Sequence, residues 1–351
     1  MAARKLTVAI TGMNANPPNP GPGVAVARCL RQAADRVGRI IGLGYDALEP
    51  GFYLPQYTDA SYLIPFPSNG EDALLKRLSD IQQTEAIDVL IPCLDAELLG
   101  VIRIANALKK IGIATLLPTE EQLKMRNKDR LSEWAKMGRL KTPETIAVTR
   151  ADFFYHCHQK EWHYPMVVKG LFYEAAIAHT PDQASEIFQR ISARWGLPIL
   201  VQRFVVGEEI NLTAIGDGKG GMLGPVMMKK RATTNEGKAW AGVTIKDDHF
   251  TRAASAIFKK LRWTGSLELE IMRDQQGTYQ LIEINPRFPS WVYLASGVGR
   301  NLPLALVELA MGQKPPRFSK ISPGVMFVRH VEDQIVPIKA FESMIIKGFH
   351  S

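Results

Sequence analysis

At 351 residues the chain is longer than one compact core usually sustains, and about 100 to 200 residues per domain implies two or three domains. Hydrophobic residues at 46% and charged residues at 22% exclude bulk disorder, because that much apolar surface can offset the entropy of ordering the chain. Lys and Arg number 43 against 35 Asp and Glu, and the resulting +8 favours anionic partners without choosing among nucleotides, carboxylates and nucleic acid.

The first strand is read at Leu6 to Ile10, followed by a Pro/Gly/Asn-rich loop to Gly23 and a helix from about Val24 to Ala34. Gly21 and Gly23 stand near the helix start, where free N–H groups could receive an anion. The loop is too long and too rich in proline for a dinucleotide fingerprint, which leaves little room for an oxidoreductase. Strands at Arg39 to Gly44, Ile87 to Pro92 and Ile113 to Leu116 alternate with helices near Gly70 to Thr84 and Ala96 to Lys110. Such alternation predicts a parallel sheet with helices on both faces.

After Pro118 the texture changes. Candidate strands at Pro165 to Lys169 and Ile199 to Phe204 flank a helix at Pro181 to Trp195. Glu209 to Ile215 and Met222 to Met228 form a hairpin through the Asp217 to Gly221 turn, and Leu267 to Met272 and Tyr279 to Asn285 form another. This half is therefore antiparallel and α+β.

Cys29, Cys93 and Cys157 are too far apart for a zinc motif or a disulfide framework. No apolar run reaches the ~20 residues of a membrane span or marks a signal peptide, so a reducing cytoplasm is expected, with no membrane partner. The one tight basic cluster is Lys229-Lys230-Arg231, without interleaved aromatics, so no nucleic-acid partner is expected. His156 and His158 would share a strand face as a surface pair, and no serine-hydrolase elbow is present.

The second hairpin carries the chemistry. Side chains alternate along a strand, so Glu268 and Glu270 share one face, as do Glu283 and Asn285, while Leu267, Leu269, Ile271, Ile282 and Ile284 take the other. Folding the hairpin gathers carboxylates whose mutual repulsion a hard cation relieves. Pro286 stiffens the strand exit, and Arg287 beyond it offers a planar fork suited to phosphate or acyl-phosphate oxygens. Trp291 and Tyr293 follow, either lining an acceptor pocket or packing.

Glu283-Ile-Asn-Pro-Arg287 resembles the metal-binding signature of the ATP-grasp superfamily. Tyr164 to Gly170 resembles the family's strand with an ATP-binding lysine, here Lys169, and Arg126 to Asp129 resembles the segment holding an earlier one, Lys128. Gln202 to Glu209 resembles the hinge and ribose segment, in which Gln202, Arg203, Phe204 and Val205 would lie along the adenine and Glu209 at the ribose. The loop Gly170 to Ala178 departs from the glycine-rich family pattern, so side chains such as Lys230, Arg231 and Lys238 would replace backbone donors at the phosphates.

The resemblance implies an α/β plus α+β fold: a parallel-sheet pre-ATP-grasp domain at 1–117, a small grasp lobe at 118–198, a second lobe with the metal site at 199–330, and a tail at 331–351. This is the architecture of carbamoyl-phosphate synthetase-like and biotin carboxylase-like members. It further implies ATP and Mg²⁺, with Mn²⁺ as an alternative ion, held by Glu270, Glu283 and Asn285, and a carboxylate activated as an acyl phosphate that an amine displaces. Arg287 would hold that acyl phosphate. Small-molecule or peptide substrates and a homo-oligomer are all compatible with it. The alternative is a catalytically silent ATP-binding subunit, suggested by the glycine-poor loop.

Overall fold

The computed structural model describes residues 4–16, 19–125, 130–171, 174–234, 237–314 and 317–351. Strand β1 (Leu6–Ile10), apolar and buried after its first residue, leads through a two-residue ladder, β2 (Ala15–Asn16) with β3 (Asn19–Pro20), into helix α1 (Pro22–Arg31). The helix start lies against the end of β1, and a Cβ on Gly23 would fall 2.1 Å from the Thr11 carbonyl oxygen, which only glycine avoids. The Gly23 amide donates to the Gly12 carbonyl and the Gly21 amide to the Asn14 carbonyl. Both N–H groups read as anion donors are therefore spent within the loop.

Strands β4 (Val37–Gly44) and β5 (Ala60–Leu63), helix α2 (Glu71–Glu85), strand β6 (Val89–Ile91) and helix α3 (Asp95–Lys110) complete the first α/β unit. β5, β4, β1 and β6 run parallel in that order. One sheet face packs on α2 and α3 through Leu74, Leu78, Val101 and Ile104, as expected from their buried stripes. The strand expected at Ile113 to Leu116 reduces to a single bridge, Ala114 with Val89, because Gly112 turns the chain at φ +90° immediately before it.

Helix α4 (Glu120–Lys124) begins at Thr119, whose hydroxyl accepts from the Gln122 amide, and α5 (Leu131–Gly138) follows. Next come β7 (Thr145–Val148), the short α6 (Phe153–His156), β8 (Met166–Lys169), β9 (Ala175–Ala178), α7 (Pro181–Trp195) and β10 (Ile199–Arg203). These strands form an antiparallel sheet in the order β7-β10-β8-β9, packed on α6 and α7 through Phe154, Phe188 and Ile191. Ile199–Arg203, expected with the later lobe, is hydrogen-bonded into the middle of this sheet. His156 and His158 lie on α6 and the 3-10 turn Cys157–Lys160, not on a strand. The apolar residues there recur as on a helix, with Phe153, Phe154 and Cys157 turned toward the sheet.

The remaining elements are β11 (Gly207–Asp217), β12 (Met222–Thr233), β13 (Ala239–Ile245), α8 (Asp248–Leu261), β14 (Thr264–Asp274), β15 (Tyr279–Asn285), α9 (Tyr293–Gly297), α10 (Leu302–Ala310), β16 (Met326–Val328), α11 (Ile338–Lys347) and β17 (Phe349–His350). Six of these strands form an antiparallel sheet in the order β15-β14-β11-β12-β13-β16. Leu267, Leu269, Ile271 and Ile284 pack on α5 and α8, which leaves the alternate residues on the opposite face. β17 returns to the first sheet and pairs antiparallel with β5, so the C-terminal stretch is built onto the N-terminal unit. Phe288, Trp291, Val292 and Leu302 share a core with Val8, Val26 and Leu30, which ties the segment after β15 to the first sheet.

Candidate active site

β14 and β15 pair so that Glu268 lies opposite Asn285 and Glu270 opposite Glu283. On the other side of β14, Asn211 of β11 lies opposite Glu270. The alternation read in the sequence thus gathers three carboxylates on one face, and a fourth, Glu209, joins them from β11 through Lys230.

Asn285 holds the set together. Its Nδ2 donates to Glu268 Oε2 at 3.1 Å and to Glu270 Oε1 at 3.0 Å, while its Oδ1 accepts from Arg287 at 3.3 Å. Glu268, buried, also accepts from Asn211 Nδ2 at 3.1 Å and from the Trp291 indole at 2.7 Å. Arg287 is anchored by its Nε on Asp95 Oδ2 at 2.8 Å, at the start of α3, so the parallel-sheet unit reaches into the cluster. Burial works against the Arg287 charge, but Asp95 and Glu268 outweigh it and hold the guanidinium firmly protonated.

Lys230 of β12 is paired with Glu209, and its Nζ lies 3.7 Å from Glu270. Burial raises Glu209, and the charge of Glu270 raises it further, so Glu209 retains a proton into the neutral range. Burial and Glu270 likewise raise Glu268. Glu270 is the ionised member: burial opposes its charge, but Lys230 and hydrogen bonding hold it below the usual carboxylate range.

Lys169 comes from β8 of the four-stranded sheet, and its buried ammonium is lowered by desolvation while Glu283, Glu270 and Glu209 act to raise it. The fields of these carboxylates reach across from the six-stranded sheet. Lys238 is exposed, but its charge also acts on Glu270. The other anticipated residues sit apart. Arg231 is exposed just beyond Lys230, where a register shift interrupts the β12–β13 pairing. Gln202 is buried and donates to Thr145 Oγ1 at 3.0 Å, and Arg203 is engaged with Glu144 at 2.6 Å and stacked 4.8 Å over Trp162. Arg203, Phe204 and Val205 line a cavity of about 300 Å³ with Glu144 and Gln275, to which no member of the acidic cluster contributes. Lys128 lies outside the described residues.

The donors fit a hard cation in kind. Asn211 Oδ1 is buried without a hydrogen-bond partner beside Glu268, and burial, then the charge of Glu270, raises Glu209 and Glu268, a shift that a cation at the site would offset. Among the described residues, however, no three Asp, Glu, His or Cys side chains converge as metal ligands, and the cation that Glu209 and Glu270 meet is Lys230. Glu268, Asn211 and Asp95 are the members that the sequence reading did not assign, and of these only Glu268 carried a usable signal, its alternation with Glu270; Trp291, read as a pocket or packing residue, donates to Glu268.

No family model matches the chain, and no curated protein matches it in sequence. Solved structures match it in fold. The biotin carboxylase domain of 2-oxoglutarate carboxylase from Hydrogenobacter thermophilus, in complex with MgADP, ADP and bicarbonate, aligns over 91% of this chain and 72% of its own, with a TM-score of 0.66 and 14% identity. L-amino acid ligase from Bacillus licheniformis aligns over 90% and 75%, with a TM-score of 0.63 and 15% identity. N5-carboxyaminoimidazole ribonucleotide synthetase from Thermotoga maritima aligns over 91% and 79%, with a TM-score of 0.60 and 14% identity. Among the described residues no helix is long and apolar enough to cross a membrane.

Proposed function

We propose that the chain is an ATP-dependent ligase that activates a carboxylate as an acyl phosphate and joins it to an amine or another nucleophile. The observation that carries this reading is the placement of Glu268, Glu270, Glu283 and Asn285 on facing positions of two paired strands, with Arg287 anchored beside them and Lys169 reaching their field from a second sheet. A solved structure of this fold that holds MgADP adds support.

In this reading Glu268, Glu270, Glu283 and Asn285 hold Mg²⁺ or Mn²⁺, and the bound ion supplies charge compensation at the phosphates of ATP. Lys169 and Lys230, with Lys238 at the rim, add positive charge around the transferred phosphoryl group, and Lys128 and Arg231 are retained as candidate phosphate contacts. Gln202 to Val205 flank the base and Glu209 the ribose. A substrate carboxylate oxygen attacks the γ-phosphorus, ADP leaves, and the acyl phosphate rests against Arg287, whose planar fork suits its oxygens. The incoming amine forms the C–N bond and phosphate departs. An amine that arrives neutral gives up one proton as the C–N bond forms, and the departing phosphate can carry it away, so no general base from the protein is required. The three sheets serve as a pre-grasp unit and two grasp lobes, with the hinge following Arg203.

A silent nucleotide-binding subunit is the second reading, and one observation favours it: the Lys230 ammonium already stands beside Glu209 and Glu270, where a metal ion would otherwise supply the positive charge. Measuring ADP release with pooled amino acids and carboxylic acids separates the two. The ligase reading requires release that depends on both Mg²⁺ and an added acid, whereas ATP binding without acid-dependent release would leave the silent subunit.

A further inference from the structure

Helix α11 carries apolar residues on both of its sides. The inner side buries Ala340 and Met344, and Met344 joins the core shared by the first sheet and the segment after β15. On the outer side Ile338, Ile345 and Ile346 are 65%, 60% and 78% exposed, and Ile335, just before the helix, is 95% exposed. At about 3.6 residues per turn, positions 338, 342, 345 and 346 lie along one face, so the three isoleucines form a continuous stripe with Glu342 at its middle. A surface helix normally turns polar and charged residues outward, and one that is apolar all round is normally covered.

The charges on this face select the cover. Glu342 within the stripe and Lys339 at its flank are both exposed, and among the described residues neither has an ion-pair partner. The chain as a whole carries +8, so two copies repel unless they meet where opposite charges match. A two-fold axis beside α11 brings the helix antiparallel against its own copy. Ile338 then lies against Ile345 and Ile346 of the second copy, and Glu342, near the axis, reaches Lys339 of the second copy in two reciprocal pairs. The start of each helix meets the end of the other, so Glu332 and Asp333 of one copy face Lys347 of the second, and the helix dipoles favour the alignment. A strongly acidic or strongly basic partner would leave Glu342 or Lys339 against a charge of its own sign.

We propose that the outer face of α11 is an interface between two copies of this chain, paired antiparallel about a two-fold axis through Ile338, Ile345 and Ile346 with reciprocal Glu342–Lys339 contacts. One helix pair is smaller than the ~1,600 Å² of a standard interface, so the association is weak, with a dissociation constant on the order of micromolar. The pairing does not depend on the ligase reading.

Sedimentation equilibrium of the full chain from roughly 1 to 200 µM tests it by weighing the species present. The mass is expected to rise from one copy to two and to stop there. The double variant Ile345→Glu/Ile346→Glu, made at exposed positions, is expected to remain a single copy throughout. Lys339→Glu sets like charges against each other across the axis and weakens pairing about ten-fold or more, whereas Lys339→Glu combined with Glu342→Lys reverses both partners and returns the affinity to within about three-fold of the parent. Circular dichroism verifies folding, and if the isoleucine variant does not fold the two charge variants decide. A parent that stays a single copy at every concentration, association that continues past two copies, or a dimer that the charge variants leave unchanged overturns the interface. Flotation with phosphatidylcholine vesicles is run alongside, and vesicle binding by a chain that stays monomeric overturns it in favour of a lipid surface.

Discussion

Lys230 Nζ lies 3.7 Å from the Glu270 carboxylate while it is also paired with Glu209, so the chain's own ammonium bridges two buried acids. Removing it strands negative charge in a dry site. Lys230→Met is expected to cost about 3 kcal/mol at pH 7, the low end for breaking a buried pair, because Glu209 already holds a proton there and Glu270 is the charge left unpaired. The sign follows from titration. Lys230 is pushed above its ordinary 10.5, burial opposing the shift and Glu270 and Glu209 outweighing burial. Its contribution is therefore complete below about pH 10.5 and fades as pH rises through the higher folded value. Urea denaturation of parent and variant at pH 7 measures the loss directly.

Glu209 and Glu268 shift the opposite way to a salt-bridged acid. Burial, then the charge of Glu270, raises Glu209 from 4.5 to about 8 and Glu268 from 4.5 to about 7. Between pH 4.5 and 8 the folded state binds more protons than the unfolded one. The stabilisation these groups give is therefore present at low pH and lost as pH rises through 7 and 8. In EDTA the protein is expected to lose stability from this source between pH 5 and pH 8. Glu209→Gln flattens that slope. Thermal melts of both proteins across the range provide the measurement.

The Trp291 indole donates to Glu268 at 2.7 Å, and this hydrogen bond sets where the carboxylate points. Trp291→Phe keeps most of the ring packing and removes the donor from a buried charge-bearing group, which typically costs about 1.5 to 3 kcal/mol. A lower melting temperature together with weaker Mg²⁺ dependence of ATP binding is expected. A variant that melts like the parent would show that the indole only packs.

The hairpin from Leu267 to Asn285 was legible in the sequence from its alternation and an Asp-Gln-Gln-Gly turn, but the register shift between Glu270 and Ile271 was not, and it puts Leu281 in the core where Ile282 was expected. Phasing alone also placed Glu268 on the same face as Glu270, but it could not rank the two, since ranking depends on Asn285, Asn211 and Trp291 reaching across. Asp95 stands 192 residues before Arg287 and carries no local mark of their contact. β7 and β9, four residues each and half exposed, lack the sustained apolar period that reveals longer strands. The histidine segment was misread because an alternating pair outweighed the helical spacing of its aromatics.

Glu283 is the acid opposite Glu270 whose charge also acts on Lys169 across the two sheets, so it joins the halves of the proposed site. Glu283→Gln keeps the shape and removes the charge. The most direct test compares Mg²⁺-dependent, acid-dependent ADP release by parent and variant at saturating ATP, with circular dichroism to verify folding. The account predicts a loss of about 100-fold or more with the fold intact, as expected when one electrostatic partner of a phosphoryl transfer is removed. Equal turnover by the two proteins would contradict it.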